Sequence, residues 1–101
     1  SLALSVLFLI TNAAAQTESA RIQGTITDQA GAAVPGATVS VTETTTGRNV
    51  KVQTSEDGSY SVLSLSPGRY QVEVTQTNFK TIRQEITLEV QQVASLPFTL
   101  E

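Results

Sequence analysis

Asp57, Ser59 and Tyr60 stand in one short run, Asp57-Gly58-Ser59-Tyr60, and carry the functional groups of a hydrolase. A serine hydroxyl needs a base before it can attack, and histidine is the ordinary one. The chain has no His and no Cys, so serine–histidine and cysteine–histidine arrangements are excluded. The run reads better as a tight turn between two strands, with Tyr60 turned into the core. Glu56 and Asp57 are adjacent carboxylates, but a calcium ion takes about six or more oxygens, and the spacing of an EF-hand loop is absent. Asp28, shortly before Gly31, is expected to cap its own turn. Zinc peptidase ligands usually include His. The expectation is therefore no catalytic residue, no cofactor-binding residue and no metal ligand.

Binding is the remaining chemistry. Sugar recognition needs an exposed aromatic platform with polar neighbours, and only Tyr60, Tyr70, Phe79 and Phe98 follow the N-terminal apolar run. Alternation points Tyr60, Tyr70 and Phe98 inward. Phe79 falls at the start of a strand between Asn78 and Lys80, so Asn78, Phe79 and Lys80 are the candidate ligand contacts. Nucleic acid is not expected. The net charge is −3, and the six basic residues (Arg21, Arg48, Lys51, Arg69, Lys80, Arg83) form no cluster that would neutralise a row of phosphates.

These side chains must be held by something, and the chain's patterning says what. Residues 2–10 read LALSVLFLI without a charge, and Ala13-Ala14-Ala15 follows. A short apolar stretch before an A-x-A site is the pattern of a secretory signal peptide. The run is also too short to span a bilayer, which takes about 20 residues. Residues 1–15 are expected to be a signal peptide, 16–20 a linker, and 21–101 a single domain with no transmembrane segment.

From Arg21 onward apolar and polar residues alternate with period two, the signature of strands. Ile22, Gly24 and Ile26 share one face. So do Ala37, Val39 and Val41, then Val50 and Val52, then Tyr60 and Val62. Tyr70, Val72 and Val74 follow, then Ile82, Ile86, Leu88 and Val90. Ala94, Leu96, Phe98 and Leu100 close the chain. Asp28-Gln29-Ala30-Gly31, Pro35-Gly36, Thr46-Gly47, Asp57-Gly58 and Pro67-Gly68 supply turns between them. Seven short strands with one solvated face each predict an all-β, antiparallel sandwich. Pro97 places the last strand at an edge or at a bulge. The expected core is Ile22, Ile26, Val39, Val41, Val52, Tyr60, Leu65, Tyr70, Val72, Val74, Phe79, Ile86, Leu88, Leu96 and Phe98.

Two segments carry a family resemblance. Gly24-Thr25-Ile26-Thr27-Asp28-Gln29-Ala30-Gly31-Ala32-Ala33-Val34-Pro35-Gly36-Ala37-Thr38-Val39-Ser40-Val41 resembles the opening of a carboxypeptidase regulatory-like domain. The second comprises Thr54-Ser55-Glu56-Asp57-Gly58-Ser59-Tyr60, then Leu65-Ser66-Pro67-Gly68-Arg69-Tyr70-Gln71-Val72-Glu73-Val74, then Phe79-Lys80. The resemblance covers 21–101 and implies a transthyretin-like (prealbumin-like, carbohydrate-binding-like) sandwich. Such domains accompany peptidases, occur in surface adhesins, and stand at the N-terminus of TonB-dependent outer-membrane receptors of the Oar-like group. The order here, signal peptide then this domain then a Val-Gln-Gln stretch, is most similar to the receptors, although Gln91 stands where that group often has Gly.

The resemblance implies an exported, non-catalytic accessory domain in the periplasm or at the outer membrane. It would contact protein partners of the cell envelope or the rest of its own receptor chain. A carbohydrate-binding module and a regulatory domain of a metallopeptidase are the alternatives. Adhesin domains of the collagen-binding B type often cross-link a Lys to an Asn of the final strand, and residues 93–101 contain no Asn. An exposed sheet edge that accepts a partner's strand is a further mechanism open to any sandwich.

Overall fold

The computed structural model describes residues 19–101, and the expected signal peptide lies outside them. Eight strands form: β1 (Ala20–Asp28), β2 (Thr38–Glu43), β3 (Asn49–Gln53), β4 (Ser59–Leu65), β5 (Gly68–Thr75), β6 (Ile82–Leu88), β7 (Val93–Ser95) and β8 (Phe98–Leu100). They make two sheets. In one, β1 is flanked by β4 on one side and by β7 and β8 on the other; the second runs β3-β2-β5-β6. The first strand begins at Ala20, which is buried, one residue earlier than the expected domain start.

The alternation explains the packing. Val39 and Val41 of β2 stand opposite Val74 and Val72 of β5, and all four are at most 1% exposed. Ile22 and Ile26 of β1, with Val62 of β4, meet them from the other sheet as one core. Strand-forming β-branched residues therefore line both inner faces. Val52, Phe79 and Ile86, expected inside, are only half-buried and pack against the rim of this core. The cause for Val52 and Ile86 is position: β3 and β6 are the edges of their sheet. Ala20, Val34, Ala37, Val62, Ala94 and Leu100 complete the interior.

The end of the chain differs from the single antiparallel strand expected there. It is two strands, and both run parallel to β1, with Arg21 to Gln23 opposite Val93 to Ser95 and Ile26 to Asp28 opposite Phe98 to Leu100. The direction follows from where β6 stops. Leu88 is level with Gly68, at the end of the sandwich where β1 begins. The turn at 89–92 crosses to the other sheet there, so the chain can only return along β1 in the same direction. The break follows from Pro97, which has no N–H to give a ladder. At Leu96-Pro97 the backbone swings across the inner side of Gly24. A Cβ at 24 would lie 2.7 Å from the Leu96 carbonyl carbon and 3.2 Å from the Pro97 nitrogen. Gly24, expected to share an apolar face with Ile22 and Ile26, instead leaves room for backbone. The register is the same on both sides of the crossing.

Two further irregularities shape the surface. The β1–β4 register shifts between Ala20 and Ile22, where Ser64 takes φ 62°. The extra residue returns Leu65 to the core three positions after Val62 and leaves Leu63 and Ser64 between them facing solvent, Leu63 59% exposed, as bulges re-aim side chains. At the opposite end Thr54 is buried, and its hydroxyl joins two loops. It donates to the Val34 carbonyl at 2.7 Å and accepts from the Ala37 N–H at 2.9 Å.

Candidate functional site

The run at Asp57 forms a compact hydroxyl–carboxylate knot. Asp57 Oδ1 accepts from Ser55 Oγ at 2.5 Å, from Ser59 Oγ at 2.7 Å and from Ser59 N at 3.1 Å. Ser55 Oγ and Ser59 Oγ are themselves 2.8 Å apart. The two serine hydroxyls, helped by the Ser59 N–H, hold the Asp57 carboxyl down at about 2. A carboxylate so stabilised is a poor base for activating either serine. Its three accepted bonds instead fix the turn, with Gly58 at φ 79°. A Cβ at 58 would lie 2.5 Å from the Ile26 carbonyl, so the turn is pressed against β1. Tyr60 points away into the core, where its hydroxyl donates to the Leu96 carbonyl at 2.5 Å. Burial pushes its phenol up to about 12. Among the described residues no three carboxylates gather as a cation site would require. Asp28 caps its own turn, accepting from the N–H groups of Ala30 and Ala32 at 2.9 and 3.0 Å.

Asn78, Phe79 and Lys80 lie together in the turn between β5 and β6. Asn78 is exposed with φ 72°, a conformation asparagine tolerates better than most residues. The Phe79 N–H donates to the Gln76 carbonyl and the Lys80 N–H to the Glu101 carbonyl. Phe79 is half-buried and packs against the rim of the core. The three form a continuous patch at the end of the sandwich where β8 stops.

The opposite end, where β1 begins, holds a second candidate. There a cleft of about 100 Å³ opens between the sheets, walled by Val41, Val50, Leu65 and Tyr70, with Glu43, Arg48, Ser64 and Ser66 also lining it. The Tyr70 hydroxyl donates to the Ser66 carbonyl at 2.6 Å. Burial, with the Glu43 carboxylate adding to it, raises the phenol above its ordinary value, so at neutral pH it is a donor and no nucleophile. Pockets that enclose a whole small molecule run to about 300 Å³ or more, and this cleft takes at most one protruding apolar group. A shallower depression beyond Tyr70 is bordered by Thr44, Arg69, Glu85 and Thr87. Leu63, Val90 and Val93 are the exposed large hydrophobic residues of the described chain, and strand direction puts all three at this same end. The combination of an apolar cleft, both charge signs and protruding aliphatic side chains suits contact with another protein surface. Sequence patterning did not reveal it. Alternation after Val62 already points Leu63 outward, but the cleft also needs the bulge at Ser64, which returns Leu65 to the core, and no residue type announces that bulge.

Comparison with known proteins agrees with this geometry. The family model described as the carboxypeptidase regulatory-like domain matches residues 21–101. No match emerges among curated proteins. Among solved structures, the fold is similar to 3-chlorocatechol 1,2-dioxygenase from Rhodococcus opacus 1CP (TM-score 0.67, 10% identity, 82% of this chain and 59% of that one). It is also similar to the Bacillus anthracis TIE protein (0.67, 18%, 83% and 16%) and to a streptococcal ancillary pilin (0.67, 12%, 84% and 33%). The chain thus spans less than two thirds of each of these proteins, and the likeness is one of fold. The sandwich, its turns and the matched span agree: the chain belongs to the carboxypeptidase regulatory-like domain family.

Proposed function

We propose that this is a non-catalytic, N-terminal periplasmic accessory domain of a TonB-dependent outer-membrane receptor, which contacts the rest of its own receptor chain or another envelope protein. The observation that carries the reading is order along the chain. A regulatory-like domain occupies 21–101 directly behind an apolar run that ends in Ala13-Ala14-Ala15, the pattern of a cleaved export signal. The face at the start of β1, with Leu63, Val90 and Val93, is the proposed contact surface. The test is to tag the gene product in its own host, fractionate the envelope and measure the mass of the processed chain. Cleavage after Ala15 and recovery with an outer-membrane barrel protein are expected. An unprocessed chain in the cytoplasm, or a processed one released to the medium without a barrel, refutes the reading.

A second reading, a carbohydrate-binding module, is favoured by the half-exposed Phe79 between exposed Asn78 and Lys80. Phe79→Ala separates the two. Loss of retention on immobilised glycans with an unchanged melting temperature supports carbohydrate binding, whereas lost stability without any glycan retention by the parent protein sinks it. A role regulating a metallopeptidase would require that the His-bearing catalytic domain be supplied by another segment.

A further inference from the structure

The first and last strands are neighbours, and they run parallel. The chain therefore enters the sandwich at one end, at Ala20, and leaves it at the other, at Leu100. Tension applied through these two points drags β1 backward and β8 forward along a common axis. The ladder bonds between β1 and β7 and between β1 and β8 are then strained together, across their own direction. An antiparallel hairpin pulled at its open ends loses its bonds one after another instead.

Sliding is opposed by packing as well as by hydrogen bonds. A slip of one residue reverses every side chain. It would turn Ala94, Leu96, Phe98 and Leu100, all at most 8% exposed, out to solvent. A slip of two residues in the pulled direction keeps the facing but carries the Leu96-Pro97 crossing from Gly24 to Ile26. Only Gly24 leaves that space empty, and Ile26 fills it with a fully buried side chain. Two bonds from outside the pair hold the crossing and the exit in place. Tyr60 of β4 donates to the Leu96 carbonyl at 2.5 Å, and Lys80 N donates to the Glu101 carbonyl at 2.8 Å.

We infer that this domain is built to bear load along the β1–β8 axis: it keeps its fold when pulled through the outer ends of β1 and β8, with Gly24 and the Leu96-Pro97 crossing as the stop. The inference does not rest on the proposed function; where the export signal is cleaved after Ala15, load at the N-terminal end enters through a partner that grips residues 16–20. It is tested on the full chain by single-molecule pulling through DNA handles on introduced thiols, which are unique because the chain has no Cys. One pair, Ser19→Cys with Glu101→Cys, pulls along the β1–β8 axis. The other, Ser19→Cys with Val93→Cys, peels β7 from β1 at a single end. All three positions are exposed. Should Val93→Cys disturb folding, Gln91→Cys in the turn just before β7 gives the same geometry. At one pulling speed, a several-fold higher unfolding force is expected for the first pair. Tyr60→Phe is expected to lower that force and to leave the peeling force nearly unchanged. Equal forces for the two pairs, or a weaker axial pair, overturn the inference.

Discussion

Replacing Gly24 by Ala tests the crossing at the end of the chain directly. The new Cβ would sit 2.7 Å from the Leu96 carbonyl carbon and 3.2 Å from the Pro97 nitrogen. Both are backbone atoms and cannot rotate away. Relief requires the 96–97 segment to lift from β1, which stretches the bond from the Tyr60 hydroxyl to the Leu96 carbonyl. Forcing a methyl into a packed site costs about 1–3 kcal/mol, and a weakened buried hydrogen bond adds about 1 kcal/mol. Alanine returns about 0.4–1 kcal/mol by restricting the unfolded chain. The net expectation is destabilisation of about 1.5–3 kcal/mol, or a melting temperature lower by roughly 6–20 °C for a domain of this size. Urea unfolding followed by far-UV circular dichroism at 25 °C would show it as a midpoint lower by about 1 M. A variant as stable as the parent, or more stable, would mean that only chain entropy acts at position 24. The account of the crossing would then be wrong.

Other outcomes follow from the same geometry. Tyr60 has its phenol raised from 10.0 to about 12 by burial; the protonated form is favoured in the fold, so its contribution is complete below pH 10 and is lost as pH rises from 10 to 12. That loss amounts to up to about 3 kcal/mol, and Tyr60→Phe should flatten part of the alkaline limb in a plot of urea midpoint against pH. An alkaline limb unchanged in Tyr60→Phe would remove Tyr60 as its source. Thr54→Val strands the Val34 carbonyl and the Ala37 N–H and should cost about 1–3 kcal/mol, while Thr54→Ser should cost clearly less in the same urea assay; equal losses would show that the methyl, and not the hydroxyl, matters.

Much of this architecture was readable from residue spacing. The runs Ala37, Val39, Val41 and Tyr70, Val72, Val74 face inward as alternation predicts, because both lie on the inner strands of their sheet and a one-residue error would expose every one of them. Asp57-Gly58 marks a turn for a local reason, a carboxylate bonding its own backbone next to a residue free to take positive φ. What escaped was non-local. Parallel pairing of β7 and β8 depends on the end of the sandwich at which β6 stops, and alternation contains no direction. Thr54 resembles any polar strand-end residue until Val34 and Ala37 arrive from another loop. Asn78, Phe79 and Lys80 do fall together, since they are consecutive, but the cleft at Leu63 needs four strands and a bulge to exist.

The pairing of first strand with last also sets the order of events during synthesis. β1 emerges early, yet one whole side of it stays open until residues 93–100 have been made. A nascent chain short of Val93 has the valine-rich second sheet and only half of the first, with Ile22 and Ile26 incompletely covered. Contacts between residues so distant in sequence are slow to form, and here they cannot form until residues 93–100 have been made. The first sheet thus stays open on one side of β1 for as long as the last strands are missing. A chain passed N-terminus first through a pore would close this sheet only after residue 100 had emerged.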